Sequence, residues 1–204
     1  MVLNEGLYFI TDSVLTRKTI FADTLSALKA GIKVVQYREK GRSTLELFEN
    51  ALKLRELCLE FGAKFIVNDR LDIALAVKAD GVHLGQDDLP LVEAQKICGS
   101  KLIIGVSTHS VDQAIAAQKA GADYIGFGPV YETTTKVGAG CARGVTELKE
   151  VLDNVEIPVI AIGGIKSGNL DALTAVGVRH AAVISEVVDS ESVSKKVKLI
   201  NSFF

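Results

Sequence analysis

Three polar side chains at alternating positions, Gln36, Arg38 and Lys40, stand out in the run Val34-Val35-Gln36-Tyr37-Arg38-Glu39-Lys40. A strand sends successive side chains to opposite faces. Gln36, Arg38 and Lys40 then share one side, and Tyr37 and Glu39 take the other. A planar guanidinium beside a compact ammonium suits the two phosphoryl groups of a pyrophosphate. A surface ion-pair reading explains Gln36 poorly, because a buried amide needs dedicated partners. Other apolar runs also end in polar groups. Asn68-Asp69 closes Phe65-Ile66-Val67, and Asp87-Asp88 follows Gly81-Val82-His83-Leu84. Carboxylates on two such ends, with phosphate oxygens and water, make a Mg²⁺ site of the substrate-assisted kind. Residue order leaves open whether Asp87 or Asp88 turns inward. No histidine-rich set favours zinc.

A second group of residues points to a second anion. Thr133-Thr134-Thr135-Lys136, after Tyr124-Ile125-Gly126-Phe127-Gly128, reads as a hydroxyl-rich anion loop. Gly163-Gly164, after Val159-Ile160-Ala161-Ile162, lets backbone N–H groups approach an anion closely. Ile184-Ser185 closes the next apolar run. These ends form a phosphate pocket separate from the one at Arg38 and Lys40. Ser107 and His109 follow the fifth run, where Ser107 suits a helix cap or a phosphate donor. His109 reads equally as a loop histidine. No Ser-His-Asp or Cys-His arrangement is present. Gly126-Phe127-Gly128-Pro129 lacks the third glycine of a dinucleotide fingerprint.

The elements that must carry these ends alternate along the whole chain. Strands are predicted at 7–11, 34–38, 65–68, 81–84, 102–106, 124–127, 159–162 and 181–184. Amphipathic stretches separate them. In 43–61, Leu45, Phe48, Leu52 and Leu59 fall on one helical face. Ala30-Gly31, Asp80-Gly81, Ala120-Gly121 and Val176-Gly177 each put glycine where a helix ends, the left-handed cap. Eight strands alternating with helices imply a parallel sheet, and eight is the number that closes a (β/α)₈ barrel. An open doubly wound sheet lacks its glycine fingerprint here. In a barrel the strand C-termini form the active face, which accounts for the polar strand ends. The predicted architecture is one α/β domain over 1–204, a single TIM barrel. The loop at 133–144 is long enough to serve as a lid.

Bulk composition narrows the function. With 48% hydrophobic and 24% charged residues over 204 positions, the chain builds one sizeable core. A net charge of −2 gives no basic field for nucleic acid. No apolar run is long enough to span a bilayer. The first residues show no basic n-region, so a signal peptide is not expected. Cys58, Cys98 and Cys141 share no metal-ligand spacing. Cys58 and Cys98 fall in helix-like segments and read as buried small hydrophobes. A reducing cytoplasm fits this usage. The expected partners are small-molecule substrates, with neither nucleic acid nor membrane, and a homo-oligomer is compatible.

Taken together, the motifs resemble the thiamine-phosphate synthase family from end to end. The matching stretches are Tyr8-Phe9-Ile10-Thr11-Asp12, Gln36 to Lys40, Phe65 to Asp69 and Ala79 to Asp88. Gly105-Val106-Ser107, Gly126 to Tyr131, Thr133 to Lys136 and Ile162-Gly163-Gly164-Ile165 complete them. The resemblance implies a barrel that joins hydroxymethylpyrimidine diphosphate to a phosphorylated hydroxyethylthiazole. It implies Gln36, Tyr37, Arg38, Glu39, Lys40, Asn68, Ser107 and Lys136 around the diphosphate substrate. Arg38, Lys40 and Lys136 would stabilise the leaving group. Mg²⁺ would sit on Asp69 and Asp88, which chooses Asp88 over Asp87. Thr133, Thr134, Thr135, Gly164, Ile184 and Ser185 would hold the thiazole phosphate. Two stretches depart from the pattern. Glu132 stands where proline is usual, and Val178-Arg179-His180-Ala181 replaces Ala-Asp-Gly-Val. Glu132 and 140–144 resemble instead a related thiazole tautomerase, expected to use a histidine at position 109. That enzyme lacks the full Gln/Arg/Lys and Asn-Asp set, so the synthase ranks first. A non-enzymatic phosphometabolite-binding regulator is the third reading.

Overall fold

The computed structural model describes residues 3, 5–135, 138 and 140–204. Lys136, expected at the diphosphate, lies outside the described residues. Eight parallel strands pair in sequence order and close into a barrel. They are β1 Gly6–Ile10, β2 Val34–Tyr37, β3 Lys64–Asn68, β4 Gly81–Leu84, β5 Ile103–Thr108, β6 Tyr124–Phe127, β7 Val159–Ile162 and β8 His180–Val183. Closure sets Gly6 opposite His180 and Phe9 opposite Val183. Around the barrel lie α1 Ile20–Lys29, α2 Thr44–Glu60, α3 Leu71–Ala76, α4 Leu91–Cys98, α5 Val111–Lys119, α6 Gly144–Asn154, α7 Leu170–Ala175, α8 Ser185–Val188 and α9 Val193–Asn201.

Strand alternation divides the apolar residues into two cores. Phe9, Val35, Tyr37, Phe65, Ile125 and Phe127 face outward and are covered by the helices. Tyr8, Ile10, Val34, Ile66, Tyr124, Ile160 and Ala182 face inward and fill the barrel together with Leu3. Filled interiors of this kind leave only the ends of the barrel for ligands. Cys58 and Cys98 are buried, as their segments suggest.

Three local expectations change. Helix α2 is well delimited: Ser43 caps it and forms a capping box with Glu46. Its buried face, however, is Leu47, Ala51, Leu54 and Cys58. Leu45, Leu52 and Leu59 lie on the opposite, exposed side. The helix carries two apolar stripes, and periodicity alone does not say which one meets the barrel. Glycines 31, 121 and 177 adopt the expected positive φ after their helices. Gly81 does not; it lies in β4, where a Cβ would stand 2.4 Å from the Ile103 carbonyl oxygen. The left-handed residue after α3 is Lys78, at φ 52°.

The third change concerns β5, which runs on to Thr108. Ser107 is therefore a strand residue, and the cap of α5 is Ser110, whose side chain accepts from Gln113 N.

Candidate functional site

The polar triplet converges on the C-terminal mouth, though not by simple alternation. β2 ends at Tyr37, so only Gln36 follows the strand pattern. Gln36 is buried inside the barrel, and its amide nitrogen donates to the Tyr8 hydroxyl at 3.0 Å. Beyond the strand, Arg38 is aimed by Asp12, with its guanidinium 2.9 Å from Oδ2. Asp12 is itself fixed, because its Oδ1 accepts from the backbone of Val14 and Leu15. Thr11 completes the anchor by bonding Arg38 N at 3.1 Å. Lys40 swings out and meets Asp69 at 3.3 Å with two thirds of its side chain in water.

Tyr37 and Glu39, also expected at the diphosphate, direct their side chains elsewhere in the fold. The Tyr37 side chain is buried among the outward-facing core residues, away from the barrel interior. Its backbone alone remains near the mouth. The Glu39 carboxylate accepts from the Ser13 hydroxyl at 2.8 Å and from Lys40 N at 2.9 Å. With Arg42 beside it, Glu39 ties the loops after β1 and β2 together.

Asp69 and Asp88 come together at the ends of β3 and β4. Asp69 holds φ 63°, a conformation that aspartate tolerates better than most residues. Its N–H bonds the His83 carbonyl oxygen at 2.8 Å, so the backbone is pinned there. Burial pushes the Asp69 carboxyl above its ordinary range, the neighbouring Asp88 carboxylate adds to this, and Lys40 only partly opposes it. Two like charges held together without a full counter-charge are what a divalent cation would relieve. Asp88 Oδ2 also takes the Gly85 N–H at 2.7 Å, whereas Asp87 is exposed. Among the described residues no cluster of three or more His, Cys, Asp or Glu forms. The pair therefore suits a cation that completes its shell with water and phosphate oxygens.

The other end of the mouth is made of backbone. Gly163 and Gly164 have φ 96° and 63°. A Cβ on Gly164 would stand 2.5 Å from the Glu132 carbonyl oxygen, so only glycine fits against that loop. Thr133 and Thr135 follow directly, linked by a bond from Thr135 N to the Thr133 hydroxyl. Ile184 is the N-cap of α8 and Ser185 its first residue. Glu186 fastens this end to the loop after β7, accepting from Ser167 N at 2.9 Å and its hydroxyl at 2.6 Å. Burial would raise the Glu186 carboxyl, but Lys196 and Ser167 outweigh it and hold the carboxyl below its usual value. Asn169 donates to the Gly164 carbonyl oxygen and accepts from Lys166 N.

Ser107 and His109 part ways at the end of β5. Ser107 faces the barrel interior and lies 2.9 Å from His83 Nε2. His109 Nδ1 lies 2.6 Å from the Gly128 carbonyl oxygen, which makes Nδ1 the donor and leaves Nε2 the basic nitrogen.

Sequence reasoning passed over Asp12, Glu186 and Asn169, although Asp12 stands in a stretch that matched the family. Nothing in the spacing of Asp12 from Arg38 marks the pair. A groove of about 820 Å³ lies elsewhere, at the N-terminal end of β3 to β5. Its acids are already engaged: Asp80 holds Arg55 and Lys64, and Asp123 holds Ile104 N.

The family model described as thiamine monophosphate synthase matches residues 7–187. A thiamine-phosphate synthase of Methanospirillum hungatei is 48% identical over 190 residues, covering 93% of this chain and 92% of that protein. One from Methanosarcina barkeri is 44% identical over 191 residues, covering 94% and 86%. The solved structure of thiamine phosphate pyrophosphorylase from Pyrococcus furiosus superposes with a TM-score of 0.89 at 40% identity, covering 97% and 94%. Other barrels, such as an N-acetylmannosamine-6-phosphate 2-epimerase at 12% identity, share the fold alone. A family model spanning most of the chain, with full-length relatives above 40% identity, places this chain in the thiamine monophosphate synthase family.

Proposed function

We propose that this chain joins 4-amino-2-methyl-5-hydroxymethylpyrimidine diphosphate to 4-methyl-5-(2-phosphoethyl)thiazole, releasing thiamine monophosphate and pyrophosphate. The observation that carries the reading is the mouth itself. Arg38 is fixed by Asp12, and the largely solvent-exposed Lys40 reaches Asp69, whose carboxylate is crowded by Asp88. A glycine-lined phosphate cradle stands across from them.

The thiazole nitrogen is already a neutral nucleophile, so no side chain has to remove a proton. The difficult step is departure of pyrophosphate from the pyrimidine methylene. Arg38 is held in place by Asp12, and Lys40 lies beside Asp69. The Arg38 charge is therefore positioned before the bond breaks, which is where fixed electrostatics lowers a barrier most. Lys136 joins them by resemblance. Asp69 and Asp88 fit Mg²⁺, which would supply further positive charge to the diphosphate. Gln36, Asn68 and Ser107 line the inner side and orient the pyrimidine. Thr133 to Thr135, the Gly164 backbone, Ile184 and Ser185 hold the thiazole phosphate. The loop at 133–144 excludes water from the reacting carbon.

Incubating the protein with both phosphorylated halves and Mg²⁺ should yield thiamine monophosphate, and EDTA should abolish it. Full activity after EDTA treatment would remove the metal from this reading. The tautomerase reading draws on one observation, the basic Nε2 of His109. His109→Ala should leave coupling largely intact. A wild type that forms no thiamine monophosphate, but loses thiazole tautomerisation on His109→Ala, would favour the tautomerase.

A further inference from the structure

Five side chains form a continuous hydrogen-bond chain through the inside of the barrel. Gln36 Nε2 lies 3.0 Å from the Tyr8 hydroxyl, which lies 2.8 Å from the Tyr124 hydroxyl. The Tyr124 hydroxyl lies 3.1 Å from His83 Nδ1, and His83 Nε2 lies 2.9 Å from the Ser107 hydroxyl. The three middle residues are buried. The barrel wall is cut back to hold them. A Cβ on Gly105 would fall 2.0 Å from the Tyr124 ring, and one on Gly126 would fall 3.3 Å from His83 Cε1. Burial raises both tyrosine hydroxyls well above their ordinary range, so each keeps its proton.

Resting on the functional reading above, we infer that Gln36 and Ser107 are the two ends of one reversible relay. Tyr8, Tyr124 and His83 are its positioning residues. With His83 as the neutral imidazole, each internal group has one hydrogen to give along the chain, so the bonds then all run the same way. In one direction the Gln36 amide nitrogen donates to Tyr8, Tyr8 to Tyr124, Tyr124 to His83 Nδ1, and His83 Nε2–H to Ser107. The mouth then presents the Gln36 carbonyl oxygen as acceptor and the Ser107 hydroxyl as donor. A half-turn of the Gln36 amide and the other His83 tautomer reverse every bond. The mouth then presents the Gln36 amide as donor and the Ser107 oxygen as acceptor. Any mixed state leaves two hydrogens, or two lone pairs, facing each other in a buried site, at a cost of about tenfold or more in population. The relay therefore makes the two ends read a heterocycle together: a ligand donor at one end requires a ligand acceptor at the other. An aminopyrimidine, with an amino donor beside a ring-nitrogen acceptor, offers such a pattern.

The test is a double-mutant cycle on binding of the pyrimidine diphosphate, using Gln36→Ala, Ser107→Ala and the pair. In the native background, the double loss should differ from the product of the single losses by about fivefold or more, as for members of one network. In a Tyr124→Phe background, which keeps the ring and removes one link, the discrepancy should shrink below about twofold. Tyr8→Phe removes a neighbouring link and serves if Tyr124→Phe does not fold. A cycle that closes in the native background overturns the relay. So does one whose coupling survives loss of the link, because the ligand alone would then carry it. A ligand-free readout stands beside it: the ring-nitrogen NMR shifts of His83 should change tautomer balance on Gln36→Ala, two tyrosines away. Indifference of those shifts also overturns the relay. If the wild type makes thiamine monophosphate yet shows no coupling, only the relay fails. If it makes none, the functional reading fails, and the His83 shifts still decide the relay.

Discussion

Arg38 is the residue on which turnover should depend most. Its guanidinium is largely shielded and aimed by an aspartate that is itself held by two backbone N–H groups. Arg38→Ala should lower turnover by about 10²-fold or more, the usual loss for a pre-organised group that stabilises developing charge. Ser185→Ala should be milder, because the proposed thiazole-phosphate cradle is built largely of backbone. Steady-state kinetics with each substrate varied separates them; an Arg38→Ala effect confined to the thiazole KM would refute the pocket assignment. Asp69 makes the opposite kind of contribution. Its carboxyl is raised by burial and by Asp88, so its charge opposes folding at neutral pH. The Lys40 link that would be lost is mostly solvent-exposed and so worth little. Asp69→Asn should therefore raise the melting temperature without metal, by about 2–4 °C for each kcal/mol of repulsion relieved. Mg²⁺ should stabilise the native protein and leave the variant unmoved. A thermal melt showing Asp69→Asn less stable in EDTA would contradict this account.

At the scale of elements, strands were the most legible part of the chain. Each apolar run has few alternatives once it is short, β-rich and bounded by glycine or polar residues, so strand positions agreed to within one or two residues. Helix faces were less legible. Two apolar stripes on α2 satisfy the same periodicity, and only the barrel surface chooses between them. The triplet 36, 38, 40 was inexact as a strand face, because β2 stops at Tyr37. Asp12 and Glu186 act across loops that are distant in sequence, so spacing could not pair them with Arg38 and Ser167. The Gly163-Gly164 turn, by contrast, was readable because only glycine tolerates its backbone. Gly164→Ala should strain that backbone by about 1–3 kcal/mol. The new Cβ would also press on the Glu132 carbonyl ahead of Thr133 to Thr135. Its kinetic mark should be a KM for the thiazole phosphate about tenfold higher or more, with diphosphate binding near native. Equal damage to both substrates, measured by equilibrium binding, would mean the two pockets are not separate.

For the whole molecule, the two ends of the barrel divide labour. The candidate site gathers at the C-terminal mouth, while the N-terminal end is closed by Leu3 and His180, both buried. Among the described residues no helix is long and apolar enough to cross a membrane. His180 Nε2 is buried with no hydrogen-bond partner among the described residues. Burial pulls its pKa below the ordinary 6.5, with Glu5 and the Leu3 backbone pulling the other way and Arg179 adding to the depression. The folded protein thus keeps this ring neutral where the unfolded chain would protonate it. Stability from this group is fully present above about pH 6.5 and is lost as pH falls from there toward the folded pKa. Asp69, raised when folded, drives stability the other way as it protonates. Urea melts between pH 7.5 and 5.5 should show a decline that His180→Gln flattens. An identical slope in native and variant would acquit His180.

The close seat of Tyr124 over Gly105 has a consequence for inheritance rather than for chemistry. With only 2.0 Å available to a Cβ, neither position is free to drift alone. A larger residue at 105 becomes acceptable only after the ring at 124 has been given up. Giving up the ring also severs the links to Tyr8 and His83. Lineages that change this pair must therefore cross a valley or move both sites together. In a mutational library of this chain, tolerance at 105 should be conditional on 124, a pairwise epistasis fixed by the interior of the barrel.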